Sequence, residues 1–204
     1  MNDDLRAVTV HSRVNRAVAV AGWALLAVLG GLLALQAELR GVVATAIVVA
    51  WLAYAAHVFL WAPALVVDDR GSEIRNPLRT VTVAWAALIH VDTKYSLTLF
   101  TPGRSWSVWC APQASGLVAR RKARRVRDDR DPRDPRNPLD AGMRIGDLPG
   151  TESGDAAALV RERWAAAPRG GDAEATEVPV TVHWGRIGVL VAAPVLAATV
   201  PLLL

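Results

Sequence analysis

The chain has 204 residues, 52% of them hydrophobic, a formal net charge of +4 and one cysteine. A lone cysteine excludes an intramolecular disulfide, which fits a reducing compartment. The charge is local: Arg120–Arg136 carries nine Arg/Lys against four Asp, or +5, so the remainder sums to −1 and the protein is not uniformly basic.

The N-terminal tail, residues 1–16, leads into Ala17–Ala37, an uncharged run long enough to cross a bilayer as a helix. A second uncharged run, Val42–Ala62, follows after only Glu38, Leu39, Arg40 and Gly41. So short a connection makes residues 17–62 an antiparallel transmembrane hairpin. The first run is longer than a secretory core and no small-residue cleavage site follows it, so it reads as a retained anchor. The third apolar run, residues 187–204, contains Pro194 and Pro201, which a membrane helix tolerates when neighbours satisfy the freed carbonyls.

Orientation follows from Lys and Arg at the span ends. Arg6, Arg13 and Arg16 precede the first span, and Arg40 alone marks the hairpin tip. Arg70, Arg75 and Arg79 follow the second span, and Arg186 precedes the third. The expected topology has the N-terminus and residues 63–186 in the cytosol and the hairpin tip and C-terminus outside the plasma membrane. Trp61 and Trp184 then fall at the inner interface.

The segment between spans two and three has a strand period. Leu65–Asp69, Glu73–Asn76, Thr80–Trp85, Ala86–Lys94, Tyr95–Thr101 and Ser105–Ala111 alternate or are rich in β-branched residues, with turn signals between them. Pro102-Gly103 joins the last two as a hairpin, with Trp106, Val108 and Cys110 on one face and Ser105, Ser107 and Trp109 on the other. Residues 118–150 are rich in charge and proline and are expected to be a disordered insertion. From Glu152 to Ala167 a helical period returns, with Ala156, Leu159, Val160, Trp164 and Ala167 on one stripe. Residues 168–186 read as a linker.

Pro63–Trp85, with Val67-Asp68-Asp69 before Gly71, then Arg75-Asn76-Pro77 and a Trp85 that opens a W-x-x-I segment, resembles the bacterial PH-like domain of small actinobacterial-type membrane proteins. The W-x-V-W of Trp106–Trp109 resembles that family's last strand and Glu152–Ala167 its terminal helix. The resemblance implies a cytosolic PH-like small barrel or sheet, residues 63–167, capped by one helix and following a two-helix membrane hairpin; the charged insertion and the third apolar run depart from the family's pattern, and with that run the expected class is an α+β membrane protein with a transmembrane hairpin and a C-terminal transmembrane helix. It also implies a ligand face of unspecified residues.

Three readings of the basic strip stand at this point. Arg120, Arg121, Lys122, Arg124 and Arg125 can contact anionic headgroups of the inner leaflet. The strip can equally be a solvated linker that enforces orientation. Nucleic acid comes third and is not expected, since no aromatic interleaving or binding module accompanies the charge. His57, inside the second span near its end, reads as a packing or interfacial histidine rather than a proton relay. Cys110 is a formal nucleophile with His90 or His183 as bases, but its parity with Trp106 and Val108 marks a core position. Gly30-Gly31 permits close helix approach, as packing within the hairpin or as a dimer seam. No metal spacing, phosphate loop or catalytic constellation is present, and no cofactor is expected. The expected function is a non-enzymatic membrane-anchored scaffold or binding module whose partners are membrane lipids. The alternative is an accessory subunit of a transport or envelope-assembly complex, with a membrane-protein partner.

Overall fold

Alternating residues in the strand-rich segment bury one face per strand, and two sheets result. In the computed structural model, which describes residues 7–112, 145–168 and 177–203, five strands form one sheet. They are β1 (Val8–Val10), β2 (Ala64–Val67), β3 (Gly71–Arg75), β4 (Arg79–Ala84) and β8 (Val180–Val182), in the order β1-β2-β3-β4-β8. A three-stranded sheet follows, β5 (His90–Asp92), β6 (Ser96–Thr101) and β7 (Arg104–Pro112), in sequential order. β1 and β2 pair antiparallel with Val10 opposite Leu65, and β2 and β3 with Leu65 opposite Ile74. Leu65 and Ile74 are buried with Val67, Val81, Val83, Leu97, Leu99, Trp106 and Val108 in one core, against which the partly buried Val10 packs.

Local chemistry fixes the turns. Asp68 Oδ1 accepts from the N–H groups of Arg70 and Gly71 at 2.8 and 2.9 Å, which turns β2 into β3. Trp85, the tryptophan of the family-like motif, is buried and donates through Nε1 to the Asp68 carbonyl at 3.2 Å. At the β6–β7 hairpin Pro102 precedes Gly103, whose φ of 71° is the left-handed value that a turn of this kind demands. Trp106 Nε1 then donates to Thr101 Oγ1 at 2.9 Å across the hairpin.

Four α-helices accompany the sheets: α1 (Arg13–Gln36), α2 (Leu39–Ala56), α3 (Glu152–Ala166) and α4 (Trp184–Leu203). Helix α3 packs against strands of both sheets through Ala156, Ala157 and Val160. Thr151 caps it, accepting from Gly154 N at 3.0 Å while its hydroxyl donates to the Leu148 carbonyl at 2.7 Å.

The expectation of a disordered insertion through residue 150 is corrected at its C-terminal end. Ile145–Asp147 is a 3-10 turn, Leu148 is 1% exposed, and Ser153 Oγ donates to the Gly146 carbonyl at 3.0 Å. A single leucine after the charged run is enough to anchor the segment in the core. Two further boundaries move. Val8–Val10 in the N-terminal tail and Val180–Val182 in the expected linker are both strands, because their β-branched residues complete the ladder of the larger sheet.

Apolar length dictates the remaining helices. Arg13–Gln36 and Leu39–Trp61 are both long and apolar enough to cross a membrane, and α4 is a third apolar helix. The last turn after α2, His57–Trp61, is π-helical, with Ala62 N–H donating to the His57 carbonyl at 2.9 Å. A Cβ on Gly30 would come within 2.9 Å of Val49 Cγ2, whereas one on Gly31 would meet open space, so Gly30 serves α1–α2 packing. By internal contacts the chain divides into a strand-rich unit and a helical unit, with the division passing through β4 and β8.

Candidate functional site

In the strand-rich unit the exposed side of the three-stranded sheet carries an unusual share of large side chains. Register places His90 opposite Phe100, and Phe100 opposite Ser105. The His90 and Phe100 rings are tilted with centroids 5.8 Å apart. Trp109, at the parity of Ser105 and Ser107, is 49% exposed. Between them Ser96 and Ser107 share a hydrogen bond of 2.7 Å. Aromatic and aliphatic groups with hydroxyls and few charges are the composition of a recognition surface. The sequence placed Trp109 on this face and named His90 only as a candidate base. It did not single out Phe100; a large residue at the parity of Ser96 and Thr98 was the signal.

One edge of this sheet is closed by helix α3. Arg161 Nη1 donates to Asp147 Oδ1 at 2.8 Å, and Nη2 to the Val91 carbonyl on β5 at 3.2 Å. Thr93 Oγ1 donates to the same Asp147 oxygen at 2.9 Å. Nearby, Arg163 pairs with Asp69 at 3.1 Å. These groups satisfy one another and read as a structural clamp.

Cys110 and the histidines are not assembled for nucleophilic catalysis. Cys110 is 1% exposed, and its thiol points to the Val10 carbonyl at 3.6 Å. Burial pushes the thiol up to about 12, so it is protonated at neutral pH. His90 is exposed on β5 against Phe100. His183 shares a 3.0 Å hydrogen bond with Thr80 Oγ1. Its pKa is lowered by desolvation first and by Arg186 second. Among the described residues no group of three His, Cys, Asp or Glu comes together as a metal site would require. Arg120, Arg121, Lys122, Arg124 and Arg125 lie outside the described residues.

Within the helical unit, carbonyls at the ends and at a break are tied by backbone and side-chain donors. His183 N–H donates to the Leu78 carbonyl and Arg186 Nη1 to the Pro77 carbonyl, both at 2.9 Å, which fastens the Asn76–Thr80 turn to the start of α4. Trp51 Nε1 on α2 donates to the Leu190 carbonyl on α4 at 3.0 Å. Leu190 stands four residues before Pro194, which has no N–H to complete the helical bond. Trp23 Nε1 on α1 donates to the Ala53 carbonyl at 3.0 Å. His57, expected as a packing or interfacial residue, opens the π-helical turn with its side chain exposed.

Comparison with curated proteins and with solved structures returned no match. The family model of the bacterial PH domain matches residues 62–169, more than half of the chain. That span runs from the end of the second apolar helix through β2–β7 to the end of α3, leaving β1 and β8 of the larger sheet outside it, and its family-like tryptophan is the buried Trp85. The chain belongs to the bacterial PH domain family.

Proposed function

We propose that this chain is a non-enzymatic, multi-pass plasma-membrane protein that holds a PH-like scaffold or binding module at the inner leaflet. The observation that carries the anchoring is the Trp51–Leu190 hydrogen bond at 3.0 Å. A carbonyl freed by proline finds water easily in a soluble helix; in hydrocarbon it must be satisfied by a neighbour. An indole N–H supplied from α2 to the carbonyl left open by Pro194 on α4 is the arrangement that a three-helix membrane bundle requires. The binding role draws on the family, whose folds serve as binding modules, and on the exposed His90, Phe100 and Trp109 face. Inner-leaflet orientation rests on the arginine distribution, with Arg120, Arg121, Lys122, Arg124 and Arg125 as contacts for anionic headgroups.

Reporters fused after Arg40, Arg125 and Leu204 test the topology: the Arg125 fusion reads cytosolic and the other two external. Recovery of the full chain from cells as a dispersed species without detergent overturns the anchoring. Deleting residues 120–125 from the full chain, reconstituted in vesicles, lowers its association with added phosphatidylglycerol vesicles. Unchanged association rejects the headgroup role.

A further inference from the structure

The first turn of α1 contains a cation whose hydrogen-bonding capacity the protein does not fill. Arg16 is half-buried, and its Nε is buried with no hydrogen-bond partner. Buried polar atoms are almost always satisfied, so the orphaned Nε marks a guanidinium that the chain leaves incompletely paired; Nε itself is covered, and an outside acceptor meets Arg16 through its part-exposed remainder. The guanidinium is nonetheless held in place: its carbon lies 4.8 Å from the centroid of the Trp61 ring. Trp61 is in turn packed against Trp23, with centroids 5.3 Å apart and planes tilted by 42°. Trp23 is itself fixed through its bond to the Ala53 carbonyl, so the aromatic shelf under Arg16 is rigid. Arg13, one turn earlier on the same side of α1, is exposed and adds a second positive charge.

Depth identifies the kind of acceptor. At 24 residues, α1 is roughly 36 Å long, against a hydrocarbon core of about 30 Å. Its first turn, before the uncharged run that begins at Ala17, therefore lies at the level of the headgroup phosphates. A planar guanidinium fork matches a phosphate's oxygens bidentately, and indole rings favour the same interfacial level. We infer that Arg16, stacked on Trp61 and backed by Trp23, forms a site for the phosphate of a phospholipid headgroup in the membrane anchor. The site rests on the membrane-anchored reading given above, and it is distinct from the basic strip at 120–125.

The test uses full-length protein purified in detergent and delipidated, with lipid retention read by native mass spectrometry. The probes are short-chain phosphatidylglycerol, the matching diacylglycerol without phosphate, and inorganic phosphate. Wild-type protein retains phosphatidylglycerol about tenfold better than diacylglycerol. Arg16→Gln abolishes that preference. Arg16→Lys keeps the charge but not the fork; it remains in the membrane fraction and also loses retention. Wild-type preference in both variants overturns the site, as does displacement of the lipid by inorganic phosphate at equal concentration, which would make it a free-anion site. Alkaline extraction of the same membranes separates this result from the anchoring: loss of the wild-type chain to the soluble fraction refutes the anchor, whereas an inserted protein with unchanged lipid preference in the variants refutes only the phosphate site.

Discussion

Arg161 on α3 reaches Asp147 and the Val91 carbonyl at once, at 2.8 and 3.2 Å, and so ties the helix to the edge strand of the smaller sheet. An edge strand with open carbonyls invites foreign pairing, and a guanidinium laid on one of them blocks it. With 42% of the Arg161 side chain and 21% of the Asp147 side chain exposed, solvent screens the ion pair. Arg161→Ala therefore lowers stability by only about 1–2 kcal/mol, read as a drop in Tm of the full chain in detergent. Asp147→Asn in that background adds little further loss, since both changes remove the same contact.

The indole of Trp51 is useful only because Pro194 cannot donate. Trp51→Phe keeps the ring and removes the N–H, at a cost of about 1 kcal/mol in the membrane bundle. Pro194→Ala restores an N–H to the Leu190 carbonyl from within α4. In the double variant the Trp51→Phe cost shrinks, measured by denaturant titration of the detergent-solubilised protein. Equal costs in the two backgrounds would mean that the indole contributes packing alone.

Burial of Cys110 carries a pH signature. Its folded pKa is raised from 9.0 to about 12, chiefly by desolvation. The unfolded chain therefore loses the proton first as the solution turns alkaline. The associated stability is complete below pH 9.0 and falls away as pH climbs toward 12. Cys110→Ala flattens that alkaline slope. At pH about 8 a thiol reagent labels wild-type protein only after denaturation, because the buried thiol is protonated and enclosed.

Two glycines separate packing from tolerance. A Cβ on Gly71 would collide with the Val83 carbonyl, a backbone atom that cannot turn aside. Gly71→Ala lowers stability by about 2–3 kcal/mol. Gly31 faces open space on α1, so Gly31→Ala leaves stability within about 0.5 kcal/mol of wild type.

Much of the fold was legible because local pattern and burial agree. The Ser105–Ala111 alternation predicted the buried side of β7, and the stripe containing Ala156 and Val160 predicted the face of α3 that meets the core. The elements that escaped were short or ambiguous. Val8–Val10 and Val180–Val182 are three residues each, too few for a period to declare itself, and both become strands through the ladder they join. Leu148 escaped because one leucine behind a charged run gives no period at all.

The apolar helices, the alternating strands and the positions of charge follow from the order of residues alone, since hydrophobic length and parity are properties of chain neighbours. The sequence identified Trp51, Pro194, Arg16 and Trp61 as residue types, and nothing in their order along the chain linked them. Only the tertiary structure set the Trp51 N–H on the carbonyl that Pro194 leaves open and the Arg16 guanidinium over the Trp61 ring. Hydrogen bonding and ring stacking act over a few ångströms, and residues so far apart in sequence reach that distance only once the helices have packed.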